Sequence, residues 1–501
     1  MRLSELIYKD EYTDVSGTWV FNIDVLGVSS DSREISDGYA FVALGGLHTD
    51  GALYVAEAQK RGALVCICER VPVLCNMPYI TVKNARKTLS YMLYRFFGGA
   101  CEKMKLYALT GTNGKTSTAA YLKQIFIKAG FKTGTIGTLK GYVDNERLCL
   151  GDLYDRKMAT MTTPDPEQFY AMTEKMYRSG VTHLVLEASS HALKLDKLAP
   201  VRFCASAFLN FSSDHLDFHF DTTDYLLSKC KIFSMSDKVY VNADDCVCRA
   251  AAKVFDTKSY TYTAKTDEAD FKAEEINTYA CRGISYALKH EGRSFNIQSS
   301  QIGSFTVYNT LAAASIALGE GIDTDIIAEG IRDVEKIDGR LERIPLGEEH
   351  GDISVFIDYA HTEKAMTELL RTVHNVKEKN SRIVTLFGCG GDRDREKRAP
   401  MARAASKYSD LVIITEDNSR SEDPDSIICD IMLGIDKEKD YKIIKNRKEA
   451  INFAIKNARG GDIILLVGKG HEQYEITREG IIPFSEKEAV YEALAQRKNG
   501  G

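Results

Sequence analysis

The chain has 501 residues, 44% hydrophobic and 27% charged, with 65 basic against 71 acidic side chains and a formal net charge of -6. That length suits about three domains at roughly 150 residues each, and the composition excludes collagen-like, low-complexity and wholly disordered chains. The slightly acidic balance leaves no footprint for nucleic acid or an anionic membrane, so an anionic ligand must be held by local groups.

The opening MRLSELIYKDEYTDV has no basic segment followed by an apolar one and is not a secretory signal. No stretch reaches the roughly 18 to 20 apolar residues of a membrane span. The twelve cysteines are scattered singly apart from Cys66-x-Cys68 and Cys246-x-Cys248. Without a CxxC pair they read as reduced, mostly buried thiols of a cytoplasmic protein, not as a zinc ribbon or disulfide framework.

Between residues 20 and 100, short apolar runs (AFVAL, ALVCICE, YITV) alternate with turns and helical stretches such as YVAEAQKRG, predicting a small α/β domain. From residue 101, KLYALTGTNGKTSTAAYLKQIFIKAG predicts a buried strand, a glycine turn and a long helix. VTHLVLEAS, CASAFLNF and KVYVNADD predict further strands between helices, hence a mostly parallel sheet. ISYALKH and RSFNIQSS predict antiparallel strands, and TVYNTLAAASIALGEGI a helix ended by glycine. After Gly339 the pattern restarts: ISVFIDYAH, SRIVTLFGCGG, DLVIITEDN and DIILLVGKG predict a separate doubly wound unit, with ligands at the carboxyl ends of its strands. The expected fold class is α/β in three domains, 1–100, 101–337 and 338–501.

The segment Gly111, Thr112, Asn113, Gly114, Lys115, Thr116 and Ser117 lies between predicted strand and helix. Backbone N–H groups of such a loop cradle phosphates, with Lys115 reaching the β and γ phosphates and Thr116 holding Mg²⁺. The full G-x-x-x-x-G-K-[ST] pattern is not met, because Leu109 stands at the first glycine. The loop alone says nucleotide and leaves switch, motor and ligase open. Glu187, His191, Asn210, Asp214, His215 and Asp217 all follow predicted strands and converge on one sheet edge, where carboxylates suit Mg²⁺. Periodicity alone makes Lys229 a solvated helix lysine.

Taken together these motifs resemble the Mur ligase family of peptidoglycan synthesis. The resemblance runs from Asp31-Ser32-Arg33 to Phe484-Ser485. It includes Thr110-Gly-Thr-Asn-Gly-Lys-Thr116, Thr162-Thr163-Pro164, Glu187-Ala-Ser-Ser-His191, Asp214-His215-Leu-Asp217, Gly339-Arg340-Leu-Glu342, Asp358-Tyr-Ala-His361, Asp417-Asn-Ser-Arg420 and Gly468-Lys-Gly-His-Glu472. It implies an N-terminal UDP-binding domain, a central P-loop ATPase and a C-terminal Rossmann-like domain that brings an amino acid. It also implies ATP, Mg²⁺, a monomer, a cytoplasmic location, and UDP-N-acetylmuramoyl-L-Ala-D-Glu as substrate.

By the same resemblance Lys229 matches a carbamylated lysine that helps place Mg²⁺, with Glu187, His215 and Thr116 completing the metal and phosphate shell. Ser30, Ser32, His48 and Thr49 lie where the uridine part binds. Thr162, Thr163 and Ser190 match groups on the muramoyl dipeptide; Asn309, Arg340 and Asp358 match groups around the nucleotide. Arg393, Asp417, Asn418, Ser419, Arg420, Gly468 and Glu472 match the amino-acid pocket. Diaminopimelate-adding members carry Asp-Asn-Pro-Arg and lysine-adding members lack the arginine, whose fork can clamp the far carboxylate of meso-diaminopimelate. Ser419 replaces the usual proline, freeing φ before Arg420. Lys197 and Leu195 stand where an arginine and a glutamine often touch the sugar nucleotide. The alternatives are a lysine- or lanthionine-adding ligase, a folate-polyglutamylating relative, and a nucleotide-gated scaffold without catalysis.

Overall fold

A computed structural model describes residues 1–46, 49–73, 75–149, 161–266, 268–279, 283–347 and 350–498. Among the described residues, three large sheets follow one another along the chain. The first has five strands in the spatial order Tyr12–Val15, Tyr79–Val82, Val65–Cys68, Tyr39–Val42 and Gly27–Ser29, parallel except for the first. Val65–Cys68 is buried on both faces, which accounts for its unbroken apolar run.

The second sheet has eleven strands. Lys105–Thr110 sits at its centre, parallel to His183–Glu187 on one side and Ala205–Phe208 on the other. The expected parallel arrangement continues through Val239–Asn242 and Ser259–Thr263. Both wings turn antiparallel. Ile284–His290 pairs with Arg293–Ser299, as their alternation predicts. At the other edge Thr133–Gly137 turns back through Lys140–Val143, a hairpin that the short, glycine-rich sequence does not announce. Helices Lys115–Lys128 and Ser304–Gly319 pack on one face. The second is buried nearly all round through Leu311, Ala312, Ala313 and Ala314, which is why its sequence shows no polar stripe.

The third sheet has six strands, with Ser354–Asp358, Ile463–Val467, Ile383–Phe387, Leu411–Ile414 and Tyr441–Ile443 all parallel. Its connections after Phe387, Ile414 and Val467 lie at the carboxyl ends of adjacent strands, where doubly wound folds bind ligands. Arg447, fully buried, pairs with Glu486 at 2.8 Å and donates to the carbonyl of Val467 at 2.9 Å. Removing either charge would leave the other unpaired in the core, at a cost of about 3–5 kcal/mol. That pair fixes the strand end from which Gly468 departs. Among the described residues no helix is long and apolar enough to cross a membrane.

Candidate functional site

The central strand ends at Thr110 and the chain turns through Gly111 and Gly114 into the helix that begins at Lys115. Gly114 has φ +86°, and a β-carbon there would lie 2.4 Å from Oδ1 of Asn309. Only glycine therefore lets helix Ser304–Gly319 approach the loop. The loop is braced from the neighbouring strand end. Asn210 Oδ1 accepts from the Asn113 amide while its Nδ2 donates to the Asn113 carbonyl, both at 2.9 Å. Thr112 Oγ1 donates to the Ser212 carbonyl at 3.0 Å.

Four cationic or metal-binding candidates, Lys115, Lys229, Thr116 and Glu187, meet at this loop. Lys115 Nζ donates to the carbonyls of Gly111 at 2.8 Å and Thr112 at 3.0 Å. Lys229 Nζ donates to the same Gly111 carbonyl at 2.9 Å. Lys229 is 1% exposed, so its reading as a solvated helix lysine is corrected: helix Thr222–Ser234 turns that face onto the loop, and periodicity cannot say which neighbour covers it. Burial, and then repulsion from Lys115, push the Lys229 amine well below its ordinary value. Burial also lowers Lys115. Thr116 Oγ1 donates to Glu187 at 2.8 Å, and Glu187 also accepts from the amide and hydroxyl of Thr138 at 3.0 and 2.9 Å. Glu187 is thus a buried, triply bonded carboxylate and not a solvated one.

The C-terminal unit closes the cleft. Arg340 donates to Thr116 Oγ1 at 3.1 Å and lies over the Tyr359 ring at 4.7 Å. Asp358 accepts from the amides of Leu341 and Ala360, and burial raises its carboxyl. His215 adopts φ +56° beside the buried Asp214, its Nε2 3.5 Å from the carboxylate; burial pushes the ring well below the usual histidine value. Arg393 reaches back to Asp217 at 3.7 Å.

A second group forms between the first sheet and the central unit. Ser30, Ser32 and Thr49 line a cavity of about 580 Å³ whose far wall carries Asp165 and Glu167. Ser30 donates through both amide and hydroxyl to Glu167, and Ser32 donates to Glu57 at 3.0 Å. Lys197 pairs with Asp165 at 2.7 Å. His48 lies outside the described residues. Thr163 donates to the Glu187 backbone carbonyl at 2.7 Å, and the Thr162 hydroxyl lies 3.3 Å from that of Thr138, so both sit beside Glu187 rather than in the cavity. Ser190 begins the next short helix, three residues beyond Glu187.

The third group gathers loops from three strand ends. Lys469, completely buried, lies 3.3 Å from Asp417 and donates to Asn418 Oδ1 at 3.1 Å. Asn418 Nδ2 donates to Glu472 at 2.7 Å. Both ends of the Asn418 carboxamide are therefore bound within the protein. Gly468 takes φ +115°, which lets the strand turn sharply past Asp417. Burial and the Asp417 charge raise the Glu472 carboxyl to about 7. Arg420 has φ +52°, a left-handed conformation costing a non-glycine residue about 1 kcal/mol. Its amide donates to the Ile476 carbonyl at 2.9 Å, which holds that conformation independently of what stands at 419. Its guanidinium donates to the carbonyls of Gly391 and Asn418 and, among the described residues, pairs with no carboxylate. Burial, then the facing Arg393 charge, lowers it from the ordinary arginine value. Two guanidinium groups thus share a half-buried space that an incoming carboxylate would neutralise.

Sequence reasoning missed Glu57, Glu167 and Thr138, which carry no motif and are brought in by packing, and Tyr225, whose hydroxyl lies 3.2 Å from Thr112 Oγ1 and whose ring centroid lies 4.5 Å from Lys229 Nζ. Lys469 lies inside Gly468-Lys-Gly-His-Glu472 and was legible there, had its position between two strand-end acids been known.

Family models for the Mur ligase middle domain and for the Mur ligase, glutamate ligase domain match residues 109–317 and 339–470. The chain belongs to the Mur ligase family. Its full-length likeness is to diaminopimelate ligases. A UDP-N-acetylmuramoyl-L-alanyl-D-glutamate–2,6-diaminopimelate ligase of Clostridium tetani is 35% identical over 501 residues, 99% of this chain and all of that one. The protein of that name from Aquifex aeolicus is 38% identical over 474 residues, 94% of each chain. A solved structure of a ligase of the same name matches with TM-score 0.67 and 27% identity over 99% of each chain. The MurF ligase of Thermotoga maritima in complex with ADP shares the fold, with TM-score 0.60 at 15% identity over 95% of this chain and 98% of that one.

Proposed function

We propose that the chain joins meso-diaminopimelate to the γ-carboxylate of D-glutamate in UDP-N-acetylmuramoyl-L-Ala-D-Glu, at the expense of ATP, as a cytoplasmic monomer in peptidoglycan precursor synthesis. One observation carries the reading. Lys115, Lys229, Thr116 and Glu187 share one strand-end cleft, and Arg340 enters it from the C-terminal unit that also carries the unpaired Arg420.

A carboxylate oxygen is a poor leaving group, so the γ-carboxylate first attacks the terminal phosphorus of ATP, giving an acyl phosphate and ADP. The amine of diaminopimelate then attacks the acyl carbon. The tetrahedral adduct collapses, phosphate departs with the C–O electron pair, and the amine proton is released. The chain contributes position and charge. Amides of the 111–117 loop and the helix beginning at Lys115 hold phosphate oxygens. Lys115 exchanges its carbonyl partners for the transferring phosphoryl group. Asn309, Arg340 and Asp358 border the nucleotide.

Thr116 and Glu187 are hard oxygen donors in mutual contact, which fits Mg²⁺. Among the described residues no three His, Cys, Asp or Glu side chains form a metal cluster. An ion here would rest on Thr116, Glu187, His215 and a carbamate on Lys229, with phosphate oxygens completing its shell. When bound, Mg²⁺ neutralises phosphate charge as a Lewis acid. The carbamate would form from the neutral amine and CO₂ with loss of a proton, and burial shifts Lys229 towards that neutral form.

Ser30, Ser32, His48 and Thr49 take the uridine part; Thr162, Thr163, Ser190 and Lys197 face the sugar and dipeptide. Arg420 and Arg393 clamp the distal carboxylate of diaminopimelate, and Glu472 receives its ammonium group, with Asp417, Asn418, Ser419 and Gly468 shaping the pocket. Lysine has no distal carboxylate and would leave the Arg420 guanidinium without a counter-charge. The test is phosphate release with ATP, Mg²⁺ and UDP-N-acetylmuramoyl-L-Ala-D-Glu, comparing meso-diaminopimelate, lanthionine and L-lysine. Preference for diaminopimelate is expected. Preference for lysine would overturn the reading of 417–420, and no release with any amino acid would favour a non-catalytic scaffold.

A further inference from the structure

Behind Ser190 lies a hydrogen-bonded series that none of the assignments above uses. His219 is 2% exposed. Its Nε2 lies 3.0 Å from the Ser190 hydroxyl and its Nδ1 3.3 Å from Asp224 Oδ2. The same Asp224 oxygen accepts from the Phe220 amide at 3.0 Å and forms an ion pair with Lys194. An ionised carboxylate can only accept, so Nδ1 carries the ring hydrogen and Nε2 presents a lone pair. Ser190 must then give its hydroxyl hydrogen to the ring, leaving its oxygen lone pairs directed elsewhere. The tautomer is fixed from the far end, by the partner that Nδ1 meets.

This is more than a helix-packing contact. The chemistry at the cleft needs Ser190 at one end only, and the series reaches it through a buried ring whose every nitrogen is used. Phe218 flanks the ring edge-on at 4.9 Å and Tyr225 lies 5.0 Å away, which holds the imidazole plane. Asp224 heads the helix whose next turn carries Lys229, so orientation of Ser190 and placement of Lys229 share one support.

We propose that Asp224 and His219 are positioning residues that fix the Ser190 hydroxyl as a hydrogen-bond acceptor for an N–H group of the muramoyl dipeptide. This rests on the ligase reading above, in which Ser190 touches that substrate. It adds that the contact is polarised in one direction and set two residues away.

The test is a double-mutant cycle with the full chain, reading KM for each of the three substrates, kcat and thermal midpoint. Ser190→Ala, His219→Asn and Asp224→Asn should each raise KM for UDP-N-acetylmuramoyl-L-Ala-D-Glu about tenfold, the worth of one oriented hydrogen bond. KM for ATP and for diaminopimelate should stay within about twofold. In the Ser190→Ala background, His219→Asn should add nothing. His219→Gln, whose amide reaches the Nε2 position, should recover most of the loss. Should His219→Asn fail to fold, Asp224→Asn, which keeps shape and lies at the half-exposed end, completes the cycle with Ser190→Ala. Additive effects, or a rise in all three KM values with a lowered midpoint, would reduce the series to helix packing and overturn the proposal. An unchanged dipeptide KM in Ser190→Ala with turnover intact would overturn it while leaving the ligase reading in place. Absence of turnover by the unmodified enzyme would instead strike the ligase reading, and the proposal with it.

Discussion

The phosphate-loop cleft and the 417–472 pocket each bury a lysine, but they treat its charge in opposite ways. Lys229 is spent on a backbone carbonyl of the loop and is pushed towards its neutral form. Lys469 lies against Asp417 and bonds Asn418, so its charge is matched inside the protein. The cleft is therefore short of negative charge, which phosphate, a carbamate and the substrate carboxylate would supply. The pocket is internally balanced at its base; at its mouth Arg393 reaches Asp217 at 3.7 Å, while Arg420, among the described residues, pairs with no carboxylate. On the proposed function, the first region would complete its electrostatics with its ligand, and the second would offer a clamp whose base is already balanced. On that same function, binding energy in the cleft would go to transition-state charge, while in the pocket it would select among amino acids.

Several substitutions would break or sharpen that contrast. The largest effect is expected at Lys115. Lys115→Ala should lower phosphate release by about a thousandfold or more, as loss of a charge on the transferring phosphoryl group does. Its thermal midpoint should not fall, because no carboxylate loses a partner. Activity within about tenfold of the unmodified enzyme would remove the cleft from the chemistry.

Next comes the clamp. Arg420→Ala should raise KM for meso-diaminopimelate by about a hundredfold through loss of a two-point ion pair, with KM for ATP unchanged. Equal rises for both substrates would mean that Arg420 shapes the loop and does not grip the amino acid.

Lys469→Met tests the base of the pocket. It strands Asp417 in a buried site, so a loss of about 3 kcal/mol in unfolding free energy is expected by denaturant titration. An unchanged stability would show that the pocket is no more internally balanced than the cleft.

The smallest effect is a pH limb. Glu472 is held at about 7, so in the free enzyme it is protonated and uncharged below that value and ionised above it. The apparent affinity for the ammonium group of the incoming amino acid should fall as pH drops through about 7, seen in kcat/KM for diaminopimelate. Glu472→Gln should flatten that limb. Its persistence in the variant would assign the limb to another group.

What the sequence determined by itself is local. The run from Lys105 to Ser117 is strand, turn and helix start in one contiguous piece, so backbone propensity and glycine placement fix it without reference to anything distant. Four parallel strands of the third sheet are legible for the same reason, each being an apolar run ended by polar or glycine residues; the fifth, Tyr441–Ile443, is short and half-exposed and carries no such run. The family motifs name Arg420, Glu472 and Lys229, but not what surrounds them. Only the tertiary structure decided that Lys229 is buried against the Gly111 carbonyl, 118 positions away in sequence, and that Arg340 crosses 224 positions to Thr116. The same holds for Glu167 behind Ser30 and for His219 behind Ser190. Helical periodicity tells which face of a helix is covered and never by what. Charge balance, burial and hydrogen-bond direction are set by that covering partner, and they are the properties on which the chemistry depends.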